Sequence, residues 1–128
     1  MKCAIASDPD SSAWVLNRLA NSHEMEVLLR IAENPNTEPH TLACLATCSQ
    51  CEIRSAVIDN RNTRLATLVA LAFDESPDVR LHLAENHNVS DQILQILVDD
   101  DNPYVSRRAQ ATLERLQSPE DKTFICAA

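Results

Sequence analysis

Apolar residues return along this chain at an interval of 26. Counting offsets from Asp8, offset 8 holds Leu16, Leu42, Leu68 and Leu94, and offset 11 holds Leu19, Leu45, Leu71 and Leu97. Offset 12 holds Ala20, Ala46, Ala72 and Val98; offset 19 holds Val27, Ile53, Val79 and Val105; offset 23 holds Ile31, Val57, Leu83 and Ala109. Five apolar columns that persist through four repeats without an insertion mark an array whose units bury their apolar faces on their neighbours. Offsets 8, 11 and 12 share one face of a helix, and offsets 19, 20 and 23 share one face of another. The pattern predicts an all-α solenoid of two-helix repeats spanning 8–33, 34–59, 60–85 and 86–111.

Polar positions frame these helices. Asn34, Asn60 and Asn86 open the phrases NPNT, NRNT and NHNV, and DPDS stands one period earlier at Asp8. Each Asn follows the last turn of a second helix, where Asn ranks after Gly as a left-handed cap. Pro35 disfavours helical geometry at Asn34, so that turn is expected to differ. Pro77 and Pro103 at offset 17 follow Ser76 and Asn102, a first-turn proline behind a capping residue. The second helix is then about two turns long, short enough to be partly 3₁₀. Ile5 and Ala6 extend the columns of Ile31 and Ala32 backwards, so residues 3–7 predict a truncated helix. Val105, Ala109, Leu113 and Leu116 keep helical spacing, which predicts a capping helix to about Gln117. The expected organisation is one domain over 1–117 and a loose tail over 118–128.

The composition narrows the function. Glycine is absent from the 128 residues. A P-loop, a dinucleotide fingerprint and a nucleophile elbow each need it, so all three are excluded. The formal charge of −8 argues against nucleic acid and anionic lipid as partners, because phosphate binding needs clustered Lys and Arg. No apolar run suits a signal peptide or a membrane span, and five cysteines without an export signal read as reduced, cytoplasmic thiols. The ending CAA is one residue short of a prenylation box.

Cys44, Cys48 and Cys51 stand in the spacing C-x3-C-x2-C, which radical S-adenosylmethionine enzymes use to hold an iron–sulfur cluster. Such an enzyme needs a larger barrel and glycines at its cofactor edge. A small zinc or iron–sulfur site, with Cys44 or His40 joining the Cys48–Cys51 pair, is the alternative, but a second C-x2-C pair is missing. His40 and Cys44, one turn apart, also form a possible Cys–His pair. The repeat offers a plainer account of Cys48. Offset 20, on the buried side of helix two, reads Leu28, Arg54, Arg80, Ser106, and a buried guanidinium there needs a partner. Offset 14 reads Ser22, Cys48, Asp74, Asp100. If the Arg of one repeat meets the Asp of the next, Arg54 pairs with Asp74 and Arg80 with Asp100. Leu28 then faces Cys48, so both sites turn apolar together.

The outward faces differ. On helix two they are charged: Glu26, Arg30 and Glu33; Glu52 and Asp59; Asp78, His82 and Glu85. On helix one, offsets 6, 9, 10 and 13 expose Trp14 in the first repeat; His40, Ala43 and Cys44 in the second; Ala66, Val69, Ala70 and Phe73 in the third; and Ile96 in the fourth. An outward apolar strip is expected to be a contact surface for another protein or a second copy. Asp74, Glu75 and Asp99 to Asp101 are its acidic rim.

The phrases VRLHLAENHN and IRSAVIDNRN, each followed by an L-x-x-L-A or similar helix, resemble the leucine-rich repeat variant family over roughly residues 8–111. That resemblance implies alternating α and shorter, often 3₁₀, helices in a right-handed superhelix. Asp74 to Arg80 also resembles the D-x-x-x-x-V-R of HEAT-like repeats of the phycobilisome lyase type, whose repeats are longer and usually contain glycine. The family brings no common catalytic residues, and no cofactor is expected for this chain. It implies a protein-binding scaffold without catalysis.

Overall fold

The structure, a computed structural model, describes residues 2–117; the expected tail and Cys126 lie outside the described residues. Among the described residues the chain is all α, with nine helices and no strand. They are α1 (Lys2–Ser7), α2 (Ala13–Leu19), α3 (Met25–Glu33), α4 (Pro39–Leu45), α5 (Cys51–Asp59), α6 (Leu65–Leu71), α7 (Pro77–Glu85), α8 (Asp91–Val98) and α9 (Pro103–Leu116). No helix is long and apolar enough to cross a membrane.

The chain divides into two compact units, one ending at Leu71 and one beginning at Ala72. In the first, α3 packs on both α1 and α5, which makes a row of second helices, and α2 and α4 lean on α3 and α5. In the second, α7 and α8 both pack on α9. The columns at offsets 19 and 23 supply the cores: Val27, Ile31, Ile53 and Val57 are fully buried in the first unit, and Val79, Leu83 and Ala109 in the second. Burying one such Val, Ile or Leu side chain contributes about 1.5–3 kcal/mol. Several column members are less covered, among them Ala20, Ala46 and Val98 at offset 12, which are half-buried. Leu19 and Leu68 are half-buried, and Ile5 is 39% exposed on α1, which packs chiefly against α3.

The second helices α3, α5 and α7 are nine-residue α-helices, not 3₁₀, and it is the first helices that are shorter. The i→i−4 bonds Leu28 N to Glu24 O, Arg54 N to Gln50 O and Arg80 N to Ser76 O begin them. The reason lies in the columns: offsets 19 and 23 are four apart and align on one buried face only at the α pitch. Pro77 and Pro103 occupy the first turn as expected. Asn102 Oδ1 accepts from Tyr104 N at 2.9 Å, but Ser76 makes no side-chain cap.

The Asn column works differently from a left-handed cap. Asn34, Asn60 and Asn86 follow the second helices with φ −75, −82 and −79° and extended ψ, and no described residue has positive φ. The side chain does the work. Asn34 Nδ2 donates to the carbonyls of Ala6 at 2.7 Å and Asp8 at 2.8 Å, while its Oδ1 accepts from Asn36 N at 2.9 Å. One period on, Asn60 Nδ2 donates to Ala32 O and Asn34 O at 2.8 and 2.9 Å, and Asn62 N donates to Asn60 Oδ1 at 2.9 Å. A second amide column lies two residues later. Asn36 Nδ2 donates to Pro9 O and Ser11 O, and Asn62 Nδ2 to Pro35 O and Thr37 O. Each of these four amides therefore ties its turn to carbonyls about one period earlier in the chain.

Within the turn, Thr37 N donates to Asn34 O and Thr63 N to Asn60 O, both at 3.2 Å, while the Thr37 and Thr63 hydroxyls donate to Ile31 O and Val57 O at 2.6 Å. Those carbonyls lie in the last helical turn and each also accepts from the C-cap amide, Asn34 N at 3.1 Å and Asn60 N at 3.2 Å, so the hydroxyl supplies a second donor. A turn closed this way needs no positive φ, which is how the chain dispenses with glycine. Asn34 before Pro35 is no exception: its turn matches that of Asn60.

Thr112 stands one period after Asn86, inside α9. Its hydroxyl donates 2.7 Å to Ala84 O and the side chain is buried. The helix runs through, and a hydroxyl takes over the bond to the preceding repeat. Thr112→Val, nearly isosteric, strands that carbonyl and is expected to lower stability by about 1–2 kcal/mol. Urea denaturation followed by circular dichroism measures it, and an unchanged midpoint contradicts the assignment.

Candidate functional site

A run of three aspartates, Asp99 to Asp101, follows α8, and α9 starts at Pro103. Asp100 turns inward. Its Oδ1 accepts from Asn102 N at 2.9 Å, closing the loop, and its carboxylate receives Arg80 from α7. Arg80 Nε donates to Asp100 Oδ2 at 2.7 Å and Nη2 to Oδ1 at 3.2 Å, the two-pronged geometry that fits a guanidinium to a carboxylate. Arg80 Nη1 donates to Asp74 O at 2.6 Å. Only 17% of the Arg80 side chain and 8% of the Asp100 side chain meet solvent, so the pair is held in a poorly hydrated place. Arg54 on α5 shares the carbonyl contact of Arg80. It is buried, and its Nη1 donates to Cys48 O at 2.7 Å, the carbonyl equivalent to that of Asp74.

The Arg80–Asp100 pair forms one wall of a depression of about 510 Å³ in the second unit. Ala72, Phe73 and Ile96 give it an apolar side, and Asp74, Asp99 and Asp101 complete the acidic side. Phe73 is 70% exposed. Asp74 Oδ1 accepts from Ser76 N at 2.9 Å. Asp99 and Asp101 are exposed, and no described cation pairs with either. Four carboxylates and one guanidinium line the depression, and the guanidinium is already engaged.

In the first unit, Trp14 on α2 is 66% exposed, with the Arg18 guanidinium 5.2 Å from its ring centroid. His40 on α4 is exposed, its Nδ1 3.0 Å from Glu38 Oε2, and Ala43 is half-buried. On α6, Ala66 and Ala70 are exposed and Val69 is half-buried. The outward face of α3 is a charged cluster instead: Arg30 meets Glu26 at 2.8 Å and Glu33 at 2.9 Å. The hydrogen bond and charge of Glu26, and then the charge of Glu33, raise the pKa of Arg30 above its ordinary value.

The three clustered cysteines are free thiols. Cys44 and Cys51 are exposed and Cys48 is half-buried. Cys51 Sγ lies 3.5 Å from Arg54 Nη2. Among the described residues, no three His, Cys, Asp or Glu side chains gather as a metal site would require.

Comparison with family models, with curated proteins and with solved structures gives no match to this chain. The site must therefore be read from its own chemistry. The depression itself has only a partial sequence signal. Its apolar and acidic members were legible as an outward strip and its rim, whereas the part Arg80 plays in its wall follows only from the fold.

Proposed function

We propose that this chain is a protein-interaction module, a right-handed α-solenoid of the leucine-rich repeat variant type that presents a contact surface and performs no catalysis. A HEAT-like ancestry is the second choice of family. The carrying observation is the exposure of two large aromatic side chains, Trp14 on α2 and Phe73 in the turn that follows α6. Phe73 at 70% and Trp14 at 66% stay open to water while the second-helix face of α3 is covered by ion pairs. Large aromatic side chains left exposed are the usual anchors of protein contacts. The five-column repeat supports the solenoid, and free thiols suit a reducing, cytoplasmic setting. The partner is another protein, with self-association as the competing outcome.

Phe73→Glu tests this reading. Because Phe73 is mostly exposed, the substitution is expected to change stability by no more than about 0.5 kcal/mol. Helical content by circular dichroism should stay, while association with the partner isolated alongside the wild-type protein should be lost. If association survives with the fold intact, the contact-surface reading fails.

A further inference from the structure

The geometry points to an arginine side chain of a partner protein, flanked by apolar residues, as the occupant of the depression beside Phe73. This deepens the contact-surface reading and rests on it.

Charge selects a cation. Asp99 and Asp101 stand at the rim without a pairing cation among the described residues, and Arg80 cannot serve them because both its edges are spent on Asp100 and on Asp74 O. Shape selects a side chain rather than a bare ion. One side of the depression is carbon, from Phe73 and Ile96, and a hydrated metal ion gains nothing from such a wall. The exposed Phe73 ring offers a face for a planar, weakly hydrated cation, and carboxylates nearby offer paired acceptors. A guanidinium satisfies both demands at once; an ammonium satisfies the charge but not the flat stacking. The volume of about 510 Å³ exceeds one side chain, which leaves room for apolar neighbours of that arginine against Ile96.

The full chain, isotope-labelled for amide NMR, is titrated with acetyl-Leu-Arg-Leu-amide, its Lys and Glu counterparts, and calcium chloride. The Arg peptide is expected to shift the amides of Phe73, Ile96, Asp99 and Asp101 in a saturable way. The Lys peptide should bind more weakly and the Glu peptide should leave those amides still. Added salt should weaken binding, and Asp99→Asn with Asp101→Asn should weaken it about tenfold, with the remaining spectrum unchanged. Equal binding of the Glu peptide, shifts confined to other surfaces, or calcium giving the same saturable shifts overturns the assignment. So does a dimer that accounts for the shifts and disappears with Arg107→Ala on α9. If Phe73→Glu abolishes association while the Arg peptide fails to bind, the arginine assignment falls and the contact surface stands. If the peptide binds while Phe73→Glu leaves association intact, the pocket stands and the broader surface falls.

Discussion

Asn34→Ala is expected to cost about 3 kcal/mol, more than any other single truncation of a polar side chain in the first unit. The substitution removes two donors and one acceptor at once, and the side chain is only 2% exposed. Ala6 is fully buried, so its carbonyl finds no water in place of the amide, and a stranded buried polar group costs about 1–3 kcal/mol. Asp8 is exposed, so its carbonyl is rehydrated and adds less. Against a typical total of about 5–15 kcal/mol, the loss is large. Urea denaturation measures it; a change below about 1 kcal/mol would show that the amide is replaceable. Asn34→Asp separates size from donation. A carboxylate has the same shape, yet faces two carbonyls without a proton to offer. Its folded-state pKa would rise, so the folded state would hold the proton more tightly than the unfolded chain. The deficit relative to wild type should be smallest below about pH 4, the unfolded carboxyl value, and grow as pH rises.

The second large effect lies at the Arg80–Asp100 pair. Asp100→Cys leaves a mostly buried guanidinium without its carboxylate, and Arg80→Leu leaves a mostly buried carboxylate without its guanidinium. Each should cost about 3 kcal/mol, the lower end of the range for breaking a buried pair. The double variant recreates the Leu28 and Cys48 combination that the chain already uses at the equivalent offsets. It should cost less than the two single losses together by about 2 kcal/mol, since neither charge is then left behind. Additive losses would show that the two side chains do not act as a pair. The double variant still loses the loop closure from Asn102 N and the bond to Asp74 O, so full recovery is not expected.

The two cases show what sequence could and could not tell. Arg80–Asp100 was legible because Arg and Asp vary together at fixed offsets, and an apolar pair replaces them where both vanish. The helix count was legible because columns four residues apart fix both the α pitch and the buried face. The Asn column was visible, but its mechanism was not. Backbone preference suggested a left-handed cap, whereas the extended φ and ψ follow from carbonyls of the preceding repeat lying opposite the amide. That proximity belongs to the packing and has no trace at the residue itself. The same holds for Ser76, whose capping role goes unused because Arg80 and Asp74 organise that loop. The acidic depression was half legible: its apolar and acidic members sit at readable offsets, but its concavity needs the approach of α7 to the end of α8.

The asparagine turns also bear on chemical ageing. Deamidation starts when the backbone nitrogen of the following residue attacks the side-chain carbonyl, and it runs fastest before glycine. Here Asn34 precedes Pro35, which has no N–H to attack with, and the other turn asparagines precede Thr, Arg, His or Val. Conversion of Asn34 or Asn60 to Asp would put a carboxylate where an amide donates to two carbonyls earlier in the chain. By building its turns from bonded amides rather than Asn-Gly, the chain keeps its inter-repeat ties on residues that age slowly.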